Sequence, residues 1–265
     1  MKKTPGSNIT PAQVTRSLRE IQKTYKNILD DSSTWVLDEA ISEVERSFSH
    51  YRNEKRRDNR SDVTWGYAIS HENPLRFNVA ETLDGFKPII DIYCDIKWDE
   101  QDFPKSQDLK VRIWSESEDL IFRDTMDSTS IFDQLFSPER NYKRRVITRL
   151  HFDKATIPPQ KSIEYHPQFH IQVGGKALDY ELCWHPKKFD LPRISYPPME
   201  LFLACQLIAI NFFPSSYQEI KETLEWKSLL KFYQNTLLLK YYENCIELIK
   251  SGESLFELLD IRYRL

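Results

Sequence analysis

Apolar side chains in the first 60 residues recur at helical spacing in two separate segments. Thr10, Pro11 and Gln13 have the composition of a capped helix start. Polar residues 30–33 then interrupt the pattern before Thr34, which is a second candidate cap. Two helices joined by so short a connection form an antiparallel hairpin. The predicted apolar faces are Val14, Leu18, Ile21, Tyr25 and Ile28 in the first helix and Leu37, Ile41, Val44, Phe48 and Tyr51 in the second.

From residue 61 onward the pattern changes to short segments rich in aromatic and β-branched residues, which turn-forming residues separate. Between Leu109 and Ile113 the apolar residues occupy every second position, as in a strand with one buried face. No helical pattern separates consecutive segments, so the sequence predicts a mainly antiparallel β-meander. The candidate strands are residues 63–70, 75–80, 88–98, 109–114, 120–126 and 146–152.

A glycine pair marks the clearest predicted hairpin. The segments Phe169–Val173 and Leu178–Trp184 have strand composition, and Gly174-Gly175 lies between them. Glycine supplies the positive φ angles that a tight hairpin turn requires. We therefore expect these two segments to pair with each other.

The C-terminal part of the sequence has the pattern of helices. Residues 199–213 are almost wholly apolar, which predicts a buried helix that ends at Pro214. At about fifteen residues this run is too short to span a bilayer. Ser216 and Glu219 have the spacing of a capping box for a last, long helix. The apolar seam of that helix is Leu230, Leu237, Tyr241, Cys245 and Leu248.

These patterns predict an α+β fold. It consists of an N-terminal helical hairpin, a central mainly antiparallel β-meander, and a buried apolar helix and a long C-terminal helix packed on the sheet. Residues 1–60 form the helical hairpin, as part of the same domain or as an appendage to it, and residues 61–265 form the α+β domain. A chain of 265 residues is long enough to bury such a core.

The composition is that of a globular protein, with 40% hydrophobic residues, 29% charged residues and a net charge of −3. This net charge gives no overall attraction to nucleic acid. The first residues lack the apolar segment of a signal peptide, and no run is long enough for a membrane span. The four cysteines lie far apart in apolar runs. We therefore expect a soluble cytoplasmic protein with reduced thiols and no membrane contact.

Two clusters of basic residues depart from this overall balance. Such clusters form solvated surface or contact an acidic partner, nucleic acid above all. The candidate nucleic-acid-binding residues are Arg52, Lys55, Arg56 and Arg57 in the first cluster and Lys143, Arg144 and Arg145 in the second.

Histidine is the first candidate for chemistry. On an extended segment His166 and His170 project to one side, and His151 and Asp153 lie on a neighbouring predicted strand. Converging imidazole and carboxylate groups bind a divalent metal or act as general acid and base. The alternatives are a hydrogen-bonded polar sheet face and a binding surface for a partner.

An Asp-x-Lys motif is the second candidate. Nucleases of the PD-(D/E)xK type hold Mg²⁺ with two acidic residues on adjacent strands and place a lysine near the phosphate. Asp84, followed by Asp95 and Lys97, has a permissible spacing, with the two aspartates as metal ligands. The motif is short, and an ordinary sheet face with alternating acidic residues is the alternative.

Four segments of the C-terminal half follow one another in a recognisable order. They are Leu150-His151-Phe152-Asp153, His166-Pro167-Gln168-Phe169-His170, Leu191–Pro198 and Asn211–Pro214. This order resembles that of uncharacterised bacterial proteins similar to ones encoded beside restriction and phage-defence genes. The resemblance covers about a quarter of the chain. It implies a bacterial cytoplasmic setting and a role in a multi-component system, and it implies no reaction or catalytic residue.

The sequence contains no P-loop, GxGxxG or GxSxG motif. We therefore expect a non-catalytic interaction subunit or sensor of a bacterial anti-phage defence complex, which binds other protein subunits and nucleic acid and needs no cofactor. The alternative is a metal-dependent nuclease or phosphoesterase that uses a divalent metal. Its candidate residues are His151, His166 and His170, or Asp84, Asp95 and Lys97.

Overall fold

A computed structural model gives the fold of the chain. It describes residues 9–58, 63–79, 88–100, 103–116, 144–155, 167–174, 181–183 and 193–252. Helices and an antiparallel sheet follow one another in the predicted order, so the α+β class is confirmed. The helices are α1 (Pro11–Thr24), α2 (Asp31–Asp58), α3 (Leu201–Phe212), α4 (Pro214–Ile220), α5 (Leu224–Tyr233) and α6 (Lys240–Lys250), and the strands are β1 (Trp65–Ile69), β2 (Leu75–Asn78), β3 (Ile89–Trp98), β4 (Ser106–Glu116), β5 (Arg144–Lys154), β6 (Phe169–Val173), β7 (Glu181–Cys183) and β8 (Ile194–Ser195).

The N-terminal helices begin at hydrogen-bonded caps. At α1 the predicted capping box is present, because Thr10 accepts from the Gln13 N–H and Gln13 accepts from the Thr10 N–H. The start of α2 precedes the predicted cap Thr34. The Asp30 carboxylate accepts a hydrogen bond of 2.9 Å from the Ser32 N–H and so stabilises an earlier first turn.

In the described ranges, eight strands form one sheet with the main order β1-β3-β4-β5-β6-β8. The pairs from β3 to β6 are antiparallel, which confirms the meander. β1 and β2 lie one after the other along the same edge of β3, because both pair with it. β7 pairs with β5 in parallel.

The predicted hairpin between Phe169–Val173 and Leu178–Trp184 is wrong. β6 pairs with residues 150–154 of β5, whereas β7 pairs with residues 144–146 of the same strand. The physical reason is that β5 and β8 occupy the two edges of β6. Gly174 does have a positive φ of 91°, but its N–H bonds the Arg149 carbonyl and so keeps the chain along β5.

The N-terminal helices cover the outer edge of β1 and β2. The Ser47 hydroxyl on α2 donates to the Gly66 carbonyl at 2.7 Å and accepts from the Gly66 N–H at 3.1 Å. The Glu43 carboxylate accepts from the Ala68 N–H at 2.9 Å. Side chains of α2 therefore satisfy backbone groups that an open sheet edge would leave unpaired.

One face of the sheet is apolar and carries the core. On β3 the alternating residues Ile90, Ile92 and Ile96 are fully buried, as the periodicity predicts. Helix α3 lies in the same core with most of its side chains buried, which confirms the predicted apolar helix. The rings of Phe202 on α3 and Trp226 on α5 pack with centroids 4.1 Å apart.

The last helical region is interrupted where a single helix was expected. The predicted capping box at Ser216 and Glu219 is wrong, because these residues lie inside the short α4. Thr223 caps α5 instead, through its side chain and the Trp226 N–H. A π-helical turn at Gln234–Leu239 joins α5 to α6, whose buried Tyr241 and Cys245 pack near Phe169 of the sheet.

Two chain-wide predictions concern thiols and membranes. Cys94 and Cys205 are free thiols, and burial raises the pKa of each. Within the part of the chain that the structure describes, no helix combines the length and the apolar character needed to cross a bilayer. The candidate strand at residues 120–126 lies outside the described ranges.

Candidate functional site

The second face of the sheet is polar, and its side chains form rows across the strands. Residues that lie directly opposite each other on paired strands project to the same face. The first row is Arg76, Asp91, Arg112 and Arg149, the second is Tyr93, Lys110, His151 and Gln172, and the third is Asp95, Asp108, Asp153 and His170.

The first row contains a buried ion network centred on Asp91. This carboxylate is fully buried and accepts hydrogen bonds from Arg76 at 2.7 and 3.2 Å. It also accepts from the Arg112 guanidinium at 2.9 Å and from the Trp114 indole at 2.8 Å. Four donors therefore compensate one buried negative charge, which is the arrangement that makes burial of a carboxylate tolerable. This network stabilises the polar face beside the second row.

The third row brings sequence candidates from three different strands together. Asp153 on β5 lies opposite Asp108 on β4 and opposite His170 on β6. Asp95 on β3 continues the row on the far side of Asp108. Three carboxyl groups and an imidazole thus stand side by side on one face. The row opens into a cleft of about 300 Å³.

The orientation of His170 follows from its buried surroundings. Its Nδ1 lies 3.1 Å from the Pro167 carbonyl oxygen, which can only accept a hydrogen bond. Nδ1 therefore carries a hydrogen, and Nε2 faces the carboxyl group of Asp153 at 4.0 Å. This separation is too long for a direct hydrogen bond.

The surroundings of Asp153 shift its pKa far from the ordinary value of a carboxyl group. Burial, and after it the negative charge of Asp108, raise the pKa of Asp153 to about 7. Lys110 and Arg193 act in the opposite direction and lower this pKa by less. Near neutral pH the Asp153 carboxyl group is therefore a mixture of its protonated and ionised forms.

His151 is a neutral neighbour of this row. Burial, followed by the positive charges of Lys110 and Arg149, lowers the pKa of His151 to about 4. The ring is therefore uncharged at neutral pH. Its buried Nε2 has no hydrogen-bond partner in the part of the chain that the structure describes.

Two lysines partly neutralise the aspartates. The Lys97 ammonium lies 3.1 Å from Asp95 Oδ2, and the Lys110 ammonium lies 2.6 Å from Asp108 Oδ2. Each pair is an Asp-x-Lys unit within one strand, where residues two apart share a face. Among the lysines that the structure describes, none pairs with Asp153 in this way: the Lys154 ammonium donates to the Pro104 carbonyl at 2.7 Å instead.

Several polar groups in the cleft remain without protein partners. Within the described ranges, Asp95 Oδ1 and Asp153 Oδ1 accept no hydrogen bond, although both atoms are buried. The Gln172 side chain also lines the cleft and is only 9% exposed. Unpaired acceptors that border one cleft indicate a place for a ligand.

The residues predicted from sequence are thus distributed unevenly. His151, His170 and Asp153 share the polar face, and His166 lies outside the described residues. Asp95 and Lys97 lie on that same face, whereas Asp84 is outside the described residues. His170 and Asp153 of the histidine set and Asp95 of the Asp-x-Lys set, which the sequence suggested as separate sites, therefore border the same cleft.

The two basic clusters do not form a common surface. Arg52, Arg56 and Arg57 are exposed on the last turns of α2, and Lys55 pairs with Glu100 at 3.3 Å, just beyond the end of β3. The structure describes neither Lys143 nor the side chains of residues 144 and 145. The backbone of residues 144 and 145 pairs with one end of β4, and that end lies near the start of β3. The clusters are therefore separated by about the length of β3, roughly 30 Å for its ten residues.

Sequence reasoning missed Asp108 and the Asp91 network. Asp108 and Lys110 repeat the spacing of Asp95 and Lys97, and this repeat was the signal that could have identified them. Nothing local marks Asp91 as the centre of a network, because its donors come from three separate positions on β2 and β4.

The metal hypothesis and the comparisons with known proteins add two findings. In the described ranges no group of three or more His, Cys, Asp or Glu side chains has a geometry that could hold a metal ion.

No protein-family model, no curated protein and no solved structure matches this chain. The function is therefore inferred from the residues of the cleft themselves.

Proposed function

We propose that this chain is a non-catalytic interaction subunit or sensor of a bacterial anti-phage defence complex. Its partner subunit binds at the cleft on the polar face of the sheet. The observation that carries the proposal is the pair of buried carboxylate oxygens, Asp95 Oδ1 and Asp153 Oδ1, which have no hydrogen-bond partner in the described ranges. Leaving such acceptors unpaired is unfavourable, and donors from a bound partner recover the loss.

The setting of the proposal comes from the sequence. The segments 150–153 and 211–214 belong to the order of features that resembles proteins encoded beside restriction and phage-defence genes. That resemblance supports a bacterial cytoplasmic location and a partner that is another component of the same system. The candidate partners are therefore the products of neighbouring genes.

Co-purification tests this function. The tagged chain is expressed together with the products of neighbouring genes, and the stoichiometry of the recovered complex is measured by size-exclusion chromatography with light scattering. We expect a defined complex that Asp153→Asn weakens. Glu219→Gln is the matched control, because Glu219 is an exposed carboxylate on α4. A complex that both variants retain equally would place the contact away from the cleft.

A metal-dependent nuclease or phosphoesterase is the second candidate function. The observation that favours it is the pair of Asp-x-Lys units, with Asp95 and Asp108 opposite each other on β3 and β4. Carboxylate oxygens are suitable ligands for Mg²⁺ or Mn²⁺, which supplies an activated water and neutralises phosphate charge. Lys97 and Lys110 would then stabilise negative charge on the phosphate. Rotation of both lysines away from their aspartates is required first.

Cleavage assays separate the two candidates. The purified protein is incubated with single-stranded and duplex DNA and RNA, and with a phosphodiester test substrate, in Mg²⁺ and in Mn²⁺. The interaction function predicts no turnover in any of these assays. Cleavage that His170→Ala or Asp108→Asn abolishes, with an unchanged circular dichroism spectrum, would replace the first proposal by the second.

Nucleic acid is proposed as an additional partner at the end of α2. Arg52, Arg56 and Arg57 are exposed there, and basic side chains in such a group neutralise phosphates. Fluorescence anisotropy with a labelled DNA duplex measures this contact at several salt concentrations. If the three arginines bind phosphates, the variant with all three changed to glutamine has a salt dependence with a smaller slope. An unchanged slope would remove nucleic acid from the proposal.

A further inference from the structure

We infer that the cleft binds an extended, uncharged stretch of peptide from the partner subunit, which lies across the strands and donates backbone N–H groups to Asp95 and Asp153. This inference rests on the proposed function, since it names the group that the partner supplies. Three properties of the described residues carry it: the charge balance of the cleft, its unpaired carboxylate oxygens and the distance between them.

The charges around the cleft nearly balance. Two of its three aspartates each have a lysine ammonium within 3.1 Å on the same strand. The third, Asp153, shares the lining of the cleft with Lys154 and Arg193. A charged ligand of either sign would therefore meet its own sign as well as the opposite one. A neutral ligand avoids this repulsion, and it does not lose the hydration of a charge when it enters the cleft.

The cleft offers hydrogen-bond acceptors that need donors. Among the described residues, the atoms Asp95 Oδ1 and Asp153 Oδ1 are buried and accept no hydrogen bond. An unsatisfied buried acceptor costs about 1–3 kcal/mol, and more when it is charged. A neutral ligand satisfies such oxygens only through N–H or O–H groups. The backbone N–H is the neutral donor that nearly every residue of a protein partner carries.

The distance between the two acceptors fits an extended chain. Asp95 on β3 and Asp153 on β5 are separated by β4, which is two strand spacings or about 10 Å. In an extended peptide the N–H groups on one side repeat every second residue, about 7 Å apart. The two carboxylate side chains can lean inward to cover the difference. A segment that runs along the row, perpendicular to the strands, therefore reaches both oxygens.

The rest of the cleft suits the same ligand. The hydroxyl of Ser106 and the side-chain amide of Gln172 line it, and both can donate to peptide carbonyl groups. The cleft volume of about 300 Å³ is at the lower end of the range of small-molecule sites. An α-helix, about 10 Å across with its N–H groups bonded internally, supplies neither the size nor the donors.

A neutral peptide and its N-methylated counterpart provide the test. The full chain, labelled with ¹⁵N, is titrated at pH 8, where Asp153 is mostly ionised because its pKa is about 7. The probe is acetyl-tetraglycine amide, and NMR follows the side-chain amides of Gln107 and Gln172 in the cleft wall. The control is acetyl-tetrasarcosine dimethylamide, which keeps the carbonyl groups and has no N–H. We expect saturable shifts with a dissociation constant of about 1–10 mM for the glycine peptide, and at least about tenfold weaker binding of the control.

Variants and salt separate hydrogen bonding from charge. Asp153→Leu removes one acceptor and Asp95→Leu removes the other, and we expect each to weaken the binding of the glycine peptide about tenfold. Glu219→Gln, on the exposed side of α4, leaves the affinity unchanged. Because the peptide is uncharged, raising the NaCl concentration from about 0.05 to about 0.3 M changes the affinity by less than about twofold.

Other outcomes overturn the inference. Equal binding of the glycine and sarcosine peptides would show that N–H donors are not recognised. An affinity that decreases steeply with salt would show that the contact depends on charge. The absence of any saturable shift, while Asp153→Asn still disrupts the partner complex, would reject the ligand class and keep the proposed function. Binding of the glycine peptide without any effect of Asp153→Asn on the partner complex would reject the proposed function instead.

Discussion

The hydroxyl of Tyr67 donates a hydrogen bond of 2.9 Å to Oε1 of Glu200, and both side chains are buried in the core. The other oxygen of Glu200 accepts from the Phe202 N–H at 2.7 Å, so this carboxylate also caps the buried helix α3. Burial raises the pKa of Glu200 to about 7, although the two hydrogen bonds lower it. A strand of the sheet and the start of the core helix are thus joined through a titratable group.

This group makes the stability of the fold depend on pH. The folded-state pKa of Glu200, about 7, lies above the value of 4.5 for an unperturbed glutamate. The folded protein therefore holds this proton more tightly, and its contribution to stability falls as the pH rises from about 4.5 to about 7. Glutamine does not titrate. In Glu200→Gln we therefore expect the free energy of unfolding to decrease by roughly 3 kcal/mol less over this pH range than in the natural sequence. Urea unfolding at pH 5, 6, 7 and 8 measures the difference between the variant and the natural sequence.

A second variant tests whether the two carboxyl groups act independently. Asp153→Asn also removes a carboxyl group with a raised pKa, so it reduces the pH dependence of stability in the same range through a different site. The double variant is expected to show the sum of the two effects, because the groups lie on opposite faces of the sheet. Equal pH profiles for Glu200→Gln and the natural sequence would mean that Glu200 does not titrate in this range.

The Asp91 network predicts a large loss of stability on neutralisation. Asp91→Asn leaves the guanidinium groups of Arg76 and Arg112 beside an amide that cannot balance their charge. We expect the free energy of unfolding to fall by about 3–5 kcal/mol. Asp38→Asn on the exposed side of α2 is the control and should change it by less than about 0.5 kcal/mol. A loss below about 1 kcal/mol at Asp91 would contradict the buried network.

Gly66 on β1 has no room for a side chain. A Cβ atom there would lie 2.0 Å from the Ile96 carbonyl oxygen, a backbone atom of the paired strand β3. Gly66→Ala must therefore shift β1 or its pairing, and we expect it to destabilise the fold by about 1–3 kcal/mol or more. Thermal unfolding checks this value. Full stability of the variant would show that β1 is not held at this distance from β3.

The π-helical turn places two nearby leucines in opposite environments. Leu237 is fully buried, and Leu239 is 49% exposed. We expect Leu237→Ala to lower the free energy of unfolding by about 2–5 kcal/mol because it leaves a cavity. Leu239→Ala, the same chemical change two residues away, is expected to lower it by less than about 1 kcal/mol. Urea unfolding measures both values, and similar losses for the two variants would contradict the described position of this segment.

The sequence predicts those features that depend on local periodicity. The alternation Leu109–Ile113 identifies the core face of β4, and the apolar run that ends at Pro214 identifies α3. In contrast, the row of Asp95, Asp108 and Asp153 depends on strand register over separations of tens of residues, which no local pattern encodes. The glycine-pair hairpin was mispredicted for the same reason, since distant strands occupy both edges of β6.

The position of α3 has a consequence for the synthesis of the chain. The helices α1 and α2 and the strands β1 to β4 are complete at residue 116, but the apolar face of that sheet is covered by a helix that begins at residue 201. At a translation rate of about 5–20 residues per second, the intervening stretch of about 85 residues takes roughly 4–17 s to synthesise. During that interval Ile90, Ile92 and Ile96 lack the cover that α3 gives them in the folded protein. A ribosome-associated chaperone is therefore expected to bind this intermediate until α3 emerges, and ribosome profiling of chaperone-bound nascent chains would detect it.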